Sequence, residues 1–307
     1  MKTFTHNIIT ISAILVITFA GCGGNNNNPN ENKSDSATAQ NNAGTLDPNA
    51  SALVKVNNRL FSVPSPVQLA TIIKNNNLPY NKELLNPASK RQDYTTAFKQ
   101  SLNCGVYGAN LGYINIYEQL PDAAAYFGAI RSLSRDLGIM NAFNESTMKR
   151  IEENNGNKDS LLYIASVMYR ESDSYLMNAD RNETGVLIIA GGFVEGLYLL
   201  THITDGKLPD AVKEKIGEQK NPLYNLIELL RPYYNKINND YDVFLEELSE
   251  LASVFDEINV EYTYKPSQTF EDKKLTIVNS TSKTDISDKQ IEIIKSKVEK
   301  LRIKITD

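Results

Sequence analysis

The residue with most chemistry to offer in this 307-residue chain is a carboxylate inside an apolar run. Glu195 stands in "VLIIAGGFVEGLYLL", residues 186–200, between Val194 and Gly196. A charge there is costly to bury unless it is paired or protonated, and a carboxyl so placed can hold a ligand or carry a proton. Arg170, in "VMYRESDSY" on the preceding predicted helix, can serve as its partner; Glu118, in "YINIYEQL", and Asn110 are further polar groups able to join it. Together they describe either the polar floor of a pocket lined by Gly and Tyr, or a salt bridge within a core. His202, just before Asp205-Gly206, could act as a general base, yet a lone histidine near a helix end also reads as a C-terminal cap. Cys104 reads as a small buried hydrophobe.

Other chemistry is poorly supplied. "GVYGANLG", residues 105–112, is glycine-rich but has neither phosphate-loop spacing, and no lysine follows its last glycine. Its glycines Gly105, Gly108 and Gly112 fall at i, i+3 and i+7, a flat face for close helix approach, at about 1 kcal/mol of helix propensity each relative to Ala. Gly191, Gly192 and Gly196 read alike, and the two glycine faces are expected to meet. The chain has two histidines and two cysteines and shows no G-x-S-x-G, H-E-x-x-H or paired-cysteine motif, so catalysis has little support and no metal or cofactor is expected. A net charge of −5 offers nothing to a phosphate backbone, which argues against nucleic acid.

The elements that would position these residues are helical. Ser65-Pro66 opens "PVQLATIIK" as an N-cap and first-turn proline. Tyr94, Phe98, Leu102, Val106, Ala109, Tyr113, Ile116 and Leu120 recur at three and four, the period of one helix face. Pro121 restarts the chain and Gly138 stops it again. Further helices are predicted over Asp159–Met177, Thr184–Ile203 and Asn221–Ile237, then on the stripe from Tyr241 to Ile258. Val260, Tyr262 and Tyr264 alternate with polar residues, as do Leu275 and Ile277, which predicts short extended segments. Ser287 and Gln290 are spaced as a capping box for a last helix carrying Ile291, Ile294, Val298, Leu301 and Ile305, expected to dock on the domain. The class is therefore all-α: a multi-helix bundle or stacked, solenoid-like helix pairs, with a C-terminal docking helix. One echo favours stacked pairs. Gly105-Val106 and Gly112-Tyr113-Ile114 recur 80 residues later as Gly185-Val186 and Gly192-Phe193-Val194.

The N-terminus carries an address. Lys2 is followed by an apolar stretch too short for a membrane span, then by "LVITFAGCGGNNNN", residues 15–28. Phe19-Ala20-Gly21-Cys22 resembles the lipobox of bacterial lipoproteins, which implies diacylglyceryl transfer to Cys22, removal of residues 1–21 and acylation of the new N-terminus. Residues 22–50 then form a polar tether that cannot build a core and spans roughly 30 Å as a flexible coil. Residues 51–260 are read as the helical domain and 261–307 as the extended segment and docking helix. With its lipobox, polar tether and segments such as "LNCGVYGANLGYINIYEQ" and "AGGFVEGLYLL", the chain resembles lipoproteins of Bacteroidota. That resemblance implies attachment to the outer membrane through lipid on Cys22. Gly23, Gly24 and the asparagines stand where acidic residues would direct surface export, which implies the periplasmic face.

The expected function is that of a non-catalytic envelope module whose helical surface docks a membrane or periplasmic partner, which predicts an exposed apolar or tyrosine patch. Sixteen tyrosines and no tryptophan fall short of the tryptophan platforms that sugar-binding surfaces usually employ. The alternative is a small-ligand binding protein with Glu195 and Arg170 beneath a Tyr- and Gly-lined pocket. The third is an enzyme that uses carboxylates and His202.

Overall fold

Eight α-helices and three two-stranded antiparallel ladders make up the described residues of the computed structural model, which are 52–56, 59–63, 66–140, 182–270, 275–277 and 281–307. The helices are α1 (Pro66–Asn75), α2 (Ala97–Ile116), α3 (Leu120–Asp136), α4 (Asn182–His202), α5 (Asp210–Gly217), α6 (Lys220–Leu230), α7 (Asn239–Asp256) and α8 (Asp288–Thr306). The ladders pair β1 (Ala52–Val56) with β2 (Arg59–Val63), β3 (Asn259–Thr263) with β6 (Thr281–Asp285), and β4 (Gln268–Phe270) with β5 (Leu275–Ile277). The chain is all-α with short extended segments, the class its helical periodicity predicts. The Asp159–Met177 segment, Arg170, Cys22 and the tether lie outside the described residues.

Two helices form the centre. α2 and α4 are buried along nearly their whole lengths and pack on one another, with α1, α3 and α8 around them. α4 is long and apolar enough to cross a membrane by length and composition, and 94% of that apolar window is buried inside the fold. A helix apolar on every side needs neighbours on every side. Glycine lets the two backbones touch. A Cβ on Gly105 would lie 1.9 Å from the Ile188 carbonyl oxygen and 2.6 Å from the Gly192 nitrogen, and one on Gly191 would lie 1.9 Å from the Leu102 carbonyl oxygen. Gly196 instead faces α1, where a Cβ would meet Leu69 Cδ1 at 2.4 Å. Gly108 corrects the expectation of one continuous glycine face: it lies past the crossing, and an added Cβ would meet nothing within 4 Å. Gly112 and Gly192 are buried.

Helix ends follow local chemistry more closely than periodicity. α2 starts at Ala97, not Tyr94, because the Thr96 hydroxyl accepts from the Lys99 amide at 3.2 Å as the N-cap. It stops at Ile116, after which Glu118 turns the chain at φ 60° and Pro121 enters the first turn of α3. The helix expected to run from Asn221 to Ile237 ends at Leu230. Pro232 has no amide to continue the ladder, so Arg231–Tyr233 tightens to a single 3-10 turn. α5 and the β1–β2 hairpin were not anticipated; the latter is "LVKVNNRLFSV", an alternating pattern around Asn-Asn. The capping box of α8 has both arms: Ser287 Oγ accepts from the Gln290 amide at 3.3 Å, and Gln290 Oε1 accepts from the Ser287 amide at 2.9 Å. β3 is exposed at every residue, so its alternation reflects no buried face.

Candidate functional site

Glu195 is fully buried, and its partners come from two separate parts of the chain. Arg302 on α8 donates from Nε to Oε2 at 2.8 Å and from Nη2 to Oε1 at 3.2 Å. Asn110 on α2 donates from Nδ2 to Oε1 at 2.6 Å. The fork of Arg302 matches the carboxylate as a lysine could not, and its second nitrogen also donates to the Leu84 carbonyl at 2.9 Å. Burial alone would lower the Arg302 pKa, but the Glu195 charge and its hydrogen bonds outweigh it and raise it. Arg302 stays ionised.

From Asn110 the bonds run on without a break. Asn110 Oδ1 accepts from the Asn86 amide at 3.0 Å. The Asn86 side chain donates to the Tyr94 hydroxyl at 2.9 Å and to Asn103 Oδ1 at 3.2 Å. Asn103 Nδ2 then reaches the Ile305 carbonyl at 2.8 Å, and the Tyr94 hydroxyl donates to the Thr306 carbonyl at 3.2 Å. A helix leaves its last four carbonyls without internal partners. In α8 all four are answered: Ile303 by the Asp307 amide at 2.9 Å, Lys304 by Lys99 Nζ, Ile305 by Asn103, and Thr306 by Tyr94 and by Lys90 Nζ at 3.3 Å. Lys90 and Lys99 also bring positive charge to the negative end of the helix dipole. The cluster is a clasp: it fastens the end of α8 to α2, α4 and the 78–94 segment.

The residues singled out from sequence are therefore partly brought together. Glu195 and Asn110 bond directly. Glu118 does not join them; it is exposed in the turn after α2 and pairs with Lys74 at 3.6 Å. Arg170 lies outside the described residues, and the cation on Glu195 among those described is Arg302. That partner escaped the sequence reading because it flanks the apolar stripe of α8. One signal was available: α8 carries five lysines and a single arginine. Asn103 and Asn110, poor helix formers seven residues apart on α2, were a second.

His202 closes the same face of α4. Its ring stacks on Tyr198 at 4.1 Å, and Nδ1 lies 3.0 Å from the Tyr198 carbonyl. Burial holds its pKa below the usual value; the bond to the Tyr198 carbonyl and Glu299 oppose this, and Lys295 and Arg302 add to it. Cys104 lies 3.8 Å from the Ser134 hydroxyl, and burial pushes its thiol up to about 11, so it is inert near neutral pH. The described residues contain no group of three His, Cys, Asp or Glu side chains able to hold a metal.

Two grooves open elsewhere. One of about 340 Å³ lies between the end of α4 and the start of α8, lined by Thr204, Lys207, Asp288 and Lys295. Another of about 520 Å³ lies between α6 and α7, over Ile227 and Leu245. Neither is lined by Glu195 or Asn110. Glu195 is held by three hydrogen bonds and a countercharge, an arrangement that positions helices and leaves no free acid or base. No family model, curated protein or solved structure matches the chain.

Proposed function

We propose that this chain is a lipid-anchored cell-envelope protein that acts without catalysis, as a module that docks a protein partner. The anchor reading rests on Phe19-Ala20-Gly21-Cys22 and the polar tether behind it, and it puts the domain beside the outer membrane on its periplasmic side. The observation that carries the docking reading is the surface of β3. Val260 and Tyr262 fall on one side of the strand and Tyr264 follows its end; the three are 40%, 65% and 72% exposed. Every residue from 259 to 268 is exposed, whereas on the paired strand Thr284 is buried against Gly217. Exposed tyrosines on a two-stranded ribbon with open edges suit protein contact better than solvent. The ligand-binding alternative loses its anchor residue, because Glu195 is engaged by Arg302 and Asn110.

The test uses the full chain in its source cell. A photocrosslinking residue at position 262 should give a discrete adduct, and Val260→Ser with Tyr264→Ser beside it should weaken that adduct sharply without moving Tm. An alkyne fatty acid should label the chain, and Cys22→Ser should remove that label. A crosslinker at position 262 that captures nothing defeats the docking reading. Labelling that survives Cys22→Ser defeats the anchor.

A further inference from the structure

Tyr198 lies one turn of α4 from Glu195 and one turn from His202, and both of its faces are occupied. The Arg302 guanidinium carbon sits 4.1 Å from the ring centroid, and the His202 imidazole stacks at 4.1 Å with an interplanar angle of 25°. Two groups at that distance must take opposite faces. His202 Nδ1 is engaged within its own helix, 3.0 Å from the Tyr198 carbonyl and 3.0 Å from Thr201 Oγ1. Its Nε2 is buried and has no hydrogen-bond partner among the described residues. With Nδ1–H donating to the carbonyl, Nε2 is the atom that gains the proton on acidification. The new N–H would then be a buried donor with no acceptor.

The charges around the ring point the same way. The charges of α8 that act on the ring are the cations Lys295 and Arg302 against the carboxylate Glu299, and on its own helix the Tyr198 carbonyl favours the proton without outweighing burial. We propose that His202 is an acid-sensitive catch on the α8 clasp: protonation sets a second cation across Tyr198 from Arg302, and α8 is released more readily between pH 7 and pH 5. The sign follows from linkage. The open state takes its proton near the ordinary histidine value, about 6.5, and the closed state takes it lower. Between those two values the open state holds more protons, so closure weakens as pH falls. Each unit of difference is about a tenfold change in the opening constant.

The experiment follows hydrogen exchange of α8 amides in the full chain at pH 7.5 and 5.5, corrected for intrinsic rates. NMR reads the His202 titration, with His6→Gln to assign the two histidines. The wild type should open more at pH 5.5, by about the factor its measured pKa dictates. His202→Phe, which keeps the stack but cannot titrate, should lose that response. Lys295→Gln, with one cation fewer, should raise the His202 pKa and shrink the response. A His202 that titrates at or above 6.5 overturns the proposal. So does an acid response that persists in His202→Phe, or a wild type whose α8 exchange ignores pH.

Discussion

Replacing Arg302 by Met tests whether the clasp is structural. The change keeps much of the stem and removes the guanidinium, leaving the Glu195 carboxyl fully buried and held by Asn110 alone. Removing one partner of a buried pair costs about 3–5 kcal/mol, chiefly because the other charge is stranded. For a domain of this size about 1 kcal/mol shifts Tm by 2–4 °C, so a fall of roughly 6–20 °C is expected. The reverse change is milder. Arg302 is 14% exposed where Glu195 is 0%, so in Glu195→Gln the guanidinium can lean towards water and the cost should be about 1–3 kcal/mol. The double variant should cost less than the two single ones together, by at least about 1 kcal/mol. Thermal melts by circular dichroism on all four proteins read this out. Additive effects, or an Arg302→Met protein that melts with the wild type, would refute the clasp.

Three further outcomes follow from packing and burial. Gly105→Ala and Gly191→Ala should each fail to fold or lose more than about 3 kcal/mol, because the new Cβ meets backbone at 1.9 Å. Gly108→Ala should gain up to about 1 kcal/mol of helix propensity, and equal losses at all three sites would overturn the crossing described here. Cys104 should alkylate about a hundredfold more slowly at pH 8 in the native protein than in urea, as peptide mass mapping can read, given its raised pKa of about 11. Asn115, 1% exposed with neither amide atom bonded among the described residues, should be replaceable by Leu with a gain of about 1–3 kcal/mol. A lower Tm in Asn115→Leu would show that water or a ligand completes that amide.

How far the sequence reaches depends on how local the cause is. The capping box at Ser287 and Gln290 is four residues of chemistry and can be read directly. The pairing of α2 with α4 announces itself because only glycine permits backbones that close. Glu195 stands out as a charge in an apolar helix, but its cation lies 107 residues on, and nothing near Glu195 points there. Asn86, Asn103 and Tyr94 fail to stand out for the same reason. Asn103 and Tyr94 reach helix-end carbonyls of α8, and a carbonyl carries no side-chain signature. The end of α6 was legible in Pro232 and was outweighed by the apolar period around it. β3 shows the opposite error: a period of two implies a strand, not a covered one.

The clasp also sets an order of events. Asn103 on α2 finds its carbonyl partner on Ile305, 202 residues later, and Tyr94 finds Thr306 at a separation of 212. Contacts of such span close late, since their chain entropy is lost before they return anything. On a chain made or threaded from its N-terminus, α2 and α4 can pair while the polar groups facing α8 still look onto water. The domain then stays ajar until residues 302–306 are free to reach it. A nascent chain halted short of that point should be open to proteases and chaperones, and the arrival of α8 decides when it closes.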